Sequence, residues 1–197
     1  MSLPLQLRLG LVVRRNRSSL RKRNTMDIKR ILLIDDQPCN VASAHHTLKG
    51  FSYRVVDNII EAYKILKTGE KFDVVLTDLW LPRGNFTGAM GEWHDSETDP
   101  VAAGLVFAIR AANDGMKVII CTDSDHHQDR LCSVMDLIND ETYGKEKAIY
   151  FVEARSCSII GYAYENGKIT PSEDWLEKPG PRPKNWLQVM KKVHLVS

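Results

Sequence analysis

The 197-residue chain has no apolar run approaching the roughly 20 residues that a bilayer-crossing helix needs, so no membrane association is expected. It has no internal repeat and no low-complexity tract, which sets aside solenoids and fibrous arrays. Its four cysteines (Cys39, Cys121, Cys132 and Cys157) show no paired spacing. They are read as reduced thiols of a cytoplasmic protein rather than as a disulfide framework. The first 25 residues lack acids altogether while carrying seven bases: Arg8, Arg14, Arg15, Arg17, Arg21, Lys22 and Arg23. The remaining 20 basic and 25 acidic residues leave 26–197 at about −5, a mildly acidic body on which direct DNA binding is not expected. Residues 1–25 are read as a basic, disordered leader, with Met26 as an alternative start. A nucleic-acid arm, a membrane arm and a targeting peptide are the competing readings.

With 43% hydrophobic residues, the chain can build one ordinary core over 26–197. Its organising stretch is Arg30-Ile-Leu-Leu-Ile-Asp35-Asp36, a short apolar run that ends on two acids. Such a run reads as a strand buried on both faces, as in a parallel sheet. Pro38 then opens a helix whose Val41, Ala44, His45 and Leu48 share a face, and Gly50 ends it. Tyr53–Val56 is a second strand. Asn58 caps a helix with Ile59, Tyr63 and Leu66 inward, closing at Gly69. Phe72–Asp78 is a third strand, again finishing on an acid. Three strand–helix beats of similar length give the rhythm of a doubly wound sheet.

Residues 82–103 interrupt that rhythm with a long, aperiodic, turn-rich stretch of the kind that carries function. A helix over Gly104–Asn113 resumes it, with Leu105, Ala108, Ile109 and Ala112 inside. Lys117–Thr122 is the fourth strand. Ser124 or Asp125 caps a helix burying Leu131, Val134, Met135 and Ile138. Ala148–Glu153 reads as a fifth strand. Asn166-Gly167 centres a hairpin over 158–170, and a last helix near 184–193 carries Leu187, Met190 and Val193 on one face.

In a parallel sheet with right-handed crossovers, all strand ends of one kind share an edge. Asp35, Asp36, Asp78 and Thr122 therefore meet where open α/β sheets bind ligands. Three converging carboxylates make a hard, oxygen-rich site suited to Mg²⁺. A carboxylate so placed can attack a phosphoryl group, with the Thr122 hydroxyl and the candidate ammonium of Lys178 on its oxygens. Isolated, Asp35 and Asp36 would read as helix-start acids favoured by the dipole. His126 and His127 with Cys121 and Cys132 match no closed zinc set. His45 and His46 read as a helix flank and a surface residue, and Trp175 and Trp186 as core or interface aromatics.

The set Leu33-Ile34-Asp35-Asp36, Leu76-Thr77-Asp78-Leu79 with Leu81-Pro82, Ile119-Ile120-Cys121-Thr122 and Glu177-Lys178-Pro179 resembles the receiver domains of two-component response regulators. The resemblance spans about 28–194. It implies a flavodoxin-like (CheY-like) doubly wound sheet of five parallel strands. That sheet would be interrupted by a long insertion between the third strand and third helix (about 83–103) and by a hairpin insertion before the last helix (about 156–173). It further implies a phosphoacceptor at Asp78, served by a histidine kinase or phosphotransfer protein, with Thr122 and Lys178 contacting the phosphoryl group. Mg²⁺ would be held by Asp35, Asp36, Asp78 and the backbone carbonyl of Trp80. The expected role is a stand-alone signalling module, not a turnover enzyme, acting through a downstream protein partner or through homodimers.

Three features depart from the family pattern. Asp123 follows the switch threonine where a small residue is usual. Trp80 borders the path of hydrolytic water. By spacing, Glu153 falls at the position of the family lysine, whereas by residue identity Lys178 fits it, so the two assignments stay open. The alternative is a receiver-like interaction module that takes no phosphate. A haloacid-dehalogenase-type phosphatase would need a second acid two residues past its nucleophile, where Asp78 has Trp80 and Asp35 has Gln37.

Overall fold

The structure is a computed structural model that describes residues 27–82, 100–123, 131, 133–134, 148–174, 177 and 182–197. Continuous apolar runs build its centre. Strands β1 (Arg30–Ile34), β2 (Ser52–Val56) and β3 (Val74–Thr77) are followed, beyond the short β4 (Leu81–Pro82) and β5 (Pro100–Val101), by β6 (Lys117–Thr122) and β7 (Ile149–Glu153). The five long strands form one parallel sheet in the order β2-β1-β3-β6-β7. Counting only its own strands, that order is 2-1-3-4-5, the flavodoxin-like arrangement. The fifth strand lies where the spacing predicts it, with Thr122 opposite Glu153.

Because successive side chains of a strand face opposite ways, the sheet separates two apolar layers. Leu32, Ile34, Val75, Val118 and Ile120 face α2 (Ile59–Lys67) and α3 (Ala103–Asn113). Ile31, Leu33, Val74, Leu76, Ile119 and Cys121 face α1 (Pro38–Thr47) and α4 (Trp186–Lys192). Trp186 and Phe107 are the largest apolar side chains fully buried in these layers. Among the described residues no helix is long and apolar enough to cross a membrane.

Three helices are rotated from the faces read in the sequence. On α1 the buried residues are Cys39, Asn40, Ser43 and Ala44, with His45 exposed and Val41 half-buried. The buried side is thus partly polar. On α2, Ala62 and Ile65 join Ile59 inside while Tyr63 and Leu66 are half-buried. On α3 the inner stripe is Gly104, Phe107, Ala108 and Ala111, and Ile109 is 44% exposed. Gly104 sets that phase, since a Cβ there would fall 1.8 Å from the Asp78 carbonyl oxygen. Only the residue without a side chain lets the helix approach so closely. Val134, expected inside, is exposed. Met135 and Ile138 lie outside the described residues.

Leu81 and Pro82 pair antiparallel with Val101 and Pro100, so the residues bordering 83–99 stand side by side; 83–99 and 1–26 lie outside the described set. After β7 comes a 3₁₀ turn, Ala154–Cys157, and then the hairpin of β8 (Tyr162–Glu165) and β9 (Lys168–Pro171). Asn166 and Gly167 both take positive φ, 49° and 79°, as a two-residue type I′ turn requires. β9 packs on α1, where His46 lies 5.0 Å from the Tyr162 ring.

Replacing Gly104 by Ala forces the Asp78–Leu79 backbone or the start of α3 to move. We expect Gly104→Ala to lower stability by roughly 2–4 kcal/mol, read from urea midpoints. Stability within about 0.5 kcal/mol of wild type would contradict the close approach.

Candidate functional site

The C-terminal ends of β1 and β3 bring Asp35, Asp36 and Asp78 to one edge, and one oxygen from each lies within 4.8 Å of the others. Backbone pairing fixes this convergence: the Asp78 amide donates to the Ile34 carbonyl (2.9 Å) and the Asp35 amide to the Val56 carbonyl (3.2 Å). The Leu79 amide donates to Asp78 Oδ1 at 2.7 Å. Thr122 ends β6 at the same edge and is buried, as is Asp78, while Trp80 packs half-buried against the α2–α3 layer.

The sequence reading missed the cation. Lys184, with no exposed side-chain surface, places Nζ 2.9 Å from Asp35 Oδ2 and 3.4 Å from Asp78 Oδ2. Lys178, the residue named from the motif, lies outside the described residues, as do Trp175, His126, His127 and Cys132. Glu153 stands at the end of β7 and pairs with Arg155 at 2.9 Å. The hairpin thus returns the chain to the rim, where Lys184 comes forward just ahead of α4. The available signal was local: Asn185 accepts the Gln188 amide as an N-cap, marking Lys184 as the last residue before a helix.

Lys184 is held by its neighbours on every side. Ser158 bridges it antiparallel, the Ile159 amide donates to the Pro183 carbonyl (3.0 Å), and the Asn185 amide to the Cys157 carbonyl (2.6 Å). The polar side of α1 supplies the rest: the Lys184 amide donates to Asn40 Oδ1 (3.1 Å), and Ser43 Oγ donates to the Lys184 carbonyl (2.6 Å). Asn40 Nδ2 also donates to both oxygens of Asp35, at 3.0 and 3.1 Å. The Trp186 ring lies 5.4 Å from Nζ and its indole N–H donates to the Asn40 carbonyl at 2.9 Å.

Electrostatics follow from burial. Desolvation pushes the Asp78 carboxyl up to about 6, against the opposing pull of Lys184 and with further help from the Asp35 charge. Burial also raises Asp36, with Asp35 adding to it. Asp123, exposed at the outer edge, is raised by partial desolvation, offset by Lys184. For Lys184 desolvation acts downward, but Asp35, Asp78, Cys121 and Asp123 together outweigh it, so the ammonium stays charged. The site holds more negative than positive charge, and buried Asp36 Oδ1 has no hydrogen-bond partner among the described residues. Surplus carboxylate charge with an unsatisfied oxygen fits a hard divalent cation such as Mg²⁺.

The described thiols Cys39, Cys121 and Cys157 are free and buried. Burial, with Asp35 nearby, pushes Cys39 up to about 11, so it is a core residue and not a nucleophile.

Removing the buried cation leaves two carboxylates facing each other. We expect Lys184→Met to lose about 3–5 kcal/mol near neutrality. Asp78 already titrates above its ordinary 3.8, and losing Lys184 raises it further. A carboxyl raised in the folded state loses stability as pH rises from its unfolded toward its folded pKa. The deficit of Lys184→Met relative to wild type should therefore shrink at pH 5. Urea unfolding at both pH values decides it, and an equal deficit at each would refute the assignment.

No protein-family model and no curated protein matches the chain. Similar solved structures are response regulators. TrrA of Thermotoga maritima, solved with Mg²⁺ and BeF, is 26% identical, with 54% of this chain and 80% of that one covered at a TM-score of 0.36. A receiver domain of Methanospirillum hungatei is 19% identical (63% and 81% covered, TM-score 0.39). RcsB of Salmonella typhimurium is 18% identical (62% and 51% covered, TM-score 0.39). In the order of its parallel strands and the acids at their ends, the chain resembles the receiver domain of a response regulator.

Proposed function

We propose that this chain is a receiver that accepts a phosphoryl group on Asp78 and signals by the change in charge. What carries the reading is the convergence of three carboxylates within 4.8 Å around an ammonium that touches two of them. A single buried acid at a strand end would need only a helix dipole or a hydrogen bond to justify it. Three acids with one buried lysine suit a second, doubly charged cation and a phosphoryl dianion.

Asp35, Asp36, Asp78 and the Trp80 carbonyl would hold Mg²⁺, which when bound supplies charge neutralisation for the phosphoryl oxygens. The chain's own part is geometric. An Asp78 oxygen attacks phosphorus, the bond from phosphorus to the donor breaks, and the donor leaves with its electron pair. Lys184 contacts Asp78 before the reaction and takes the phosphoryl oxygens afterwards. The Thr122 hydroxyl, buried at the same edge, donates to them. The role is given to Lys184 because, among the described residues, it is the ammonium that meets the acids; Lys178 lies outside them.

The donor would be a histidine kinase or phosphotransfer protein in the cytoplasm, and the output a protein contact, a second copy included. An aspartyl phosphate adds charge and acceptor oxygens, and so reorders whatever the lysine and threonine hold. The reaction modifies the chain itself, so this is a signalling module and not a turnover enzyme.

Incubation with Mg²⁺ and acetyl phosphate should add the mass of one phosphoryl group, lost in Asp78→Asn and on chelation of the metal. No added mass in wild type would instead leave an interaction module that takes no phosphate, the reading that Asp123 beside Thr122 favours. Steady phosphate release would point to a phosphatase.

Trp80, two residues after the acceptor, and Asp123, next to Thr122, add bulk and negative charge beside the site, which hinder water from reaching phosphorus. We expect autodephosphorylation to be slow, and a phosphoryl lifetime of seconds, followed by radiolabel decay, would contradict this.

A further inference from the structure

Lys184 reaches Asp78 without standing on the parallel sheet. The strand that borders β6 ends at Glu153, and some thirty residues intervene before the lysine. Register with neighbouring strands fixes Asp35, Asp78 and Thr122, but it cannot fix Lys184. Something else must hold a long, flexible side chain at 2.9 and 3.4 Å from two carboxylates.

We infer that Asn40 is the positioning residue of this site, setting Lys184 against Asp35 and Asp78 from the buried side of α1. This deepens the receiver reading and rests on it for its consequence in phosphoryl transfer. Asn40 uses its whole amide at once: Oδ1 accepts the Lys184 backbone amide while Nδ2 donates to both oxygens of Asp35. One side chain thus fixes the backbone that carries the cation relative to the anion it meets. Ser43, one turn on, fixes the other side of the same residue through the Lys184 carbonyl. Asn40 and Ser43 are fully buried on a face that packing alone would fill with apolar groups. Polar residues there cost stability unless their bonds are made, and here the Asn40 amide and the Ser43 hydroxyl both bond Lys184, with Asn40 also on Asp35.

Asn40 does not touch Asp78, so its effect must pass through its partners Lys184 and Asp35, and the proposal assigns it to Lys184. A misplacement of about 1 Å at such a contact can slow a reaction up to 100-fold.

Two measurements test this. The first needs no phosphoryl transfer: hydrogen exchange at the Ile159 and Asn185 amides, whose acceptors are Pro183 and Cys157, not Asn40. In Asn40→Ala these amides should lose protection by about tenfold or more while central amides of β1 and β3 keep theirs. Unchanged protection overturns the proposal. The second is a double-mutant cycle on the rate of phosphorylation by acetyl phosphate. Asn40→Ala should slow wild type about tenfold or more, and have little effect in a Lys184→Met background. An equal slowing in both backgrounds would make Asn40 merely structural and also overturn the proposal. If Asn40→Ala does not fold, Asn40→Ser, which removes the same amide and adds no charge, carries both tests. If wild type accepts no phosphoryl group, the receiver reading falls, and the exchange result alone decides whether Asn40 holds the lysine.

Discussion

A lysine ammonium with no access to water, shared between two carboxylates, is the constraint that the rest of this structure accommodates. Removing an ion from water costs several kcal/mol even after relaxation, and the loss is offset only when the partner charges and the remaining hydrogen bonds are in place. Asp35 therefore stands at the end of a strand buried on both faces, Asp78 on the neighbouring one, and Trp186 lies over the lysine from the side of α4. The polar buried side of α1 has the same origin. Asn40 and Ser43 occupy positions facing the sheet because the backbone around Lys184 is itself desolvated and needs partners.

The parts of the fold set by local chemistry were legible in the residues. Four runs ending on Asp35, Val56, Asp78 and Thr122 have a length and hydropathy that parallel strands require, and Asn166-Gly167 dictates its turn. The helix faces were read less well, because an apolar residue was assumed to point inward. On α3 the phase is fixed by the contact of Gly104 with the Asp78 backbone, which turns Ile109 to solvent. On α1 the phase follows the polar pair, which turns His45 outward. In both cases a long-range requirement outweighs a local preference, and no periodicity within the helix carries that information.

The cation was illegible for a related reason. A strand-end acid is placed by register, so its position follows from the sequence of its own strand. Lys184 is placed by a closed loop, and loop closure leaves little mark on spacing. The entropic cost of closing the roughly 25 residues between Ser158 and Pro183 grows only as (3/2)RT ln n, or about 3 kcal/mol beyond a constant. The two backbone bonds that flank Lys184, the Ser43 and Asn40 contacts and the burial of Trp186 can offset a cost of that size at about 1 kcal/mol per bond. Lengthening the loop by half would add only about 0.4 kcal/mol. Its length is therefore nearly free to vary, and counting residues from β7 cannot find the lysine.

The same closure determines what a change at Asp78 must move. The ends of the hairpin-bearing segment are joined at Ser158–Lys184 and Cys157–Asn185, beside the contact that neutralises Asp78. Lys184 cannot shift along its side chain alone without breaking its pairing with Asp35, since one ammonium serves both acids. Under the proposed phosphorylation, a new charge at Asp78 would compete with Asp35 for the lysine, whose backbone is held by Asn40 and Ser43. α1 carries both of those residues and also packs against β9. Site, helix and hairpin are thus mechanically one unit, joined through a lysine that belongs to none of the sheet's strands.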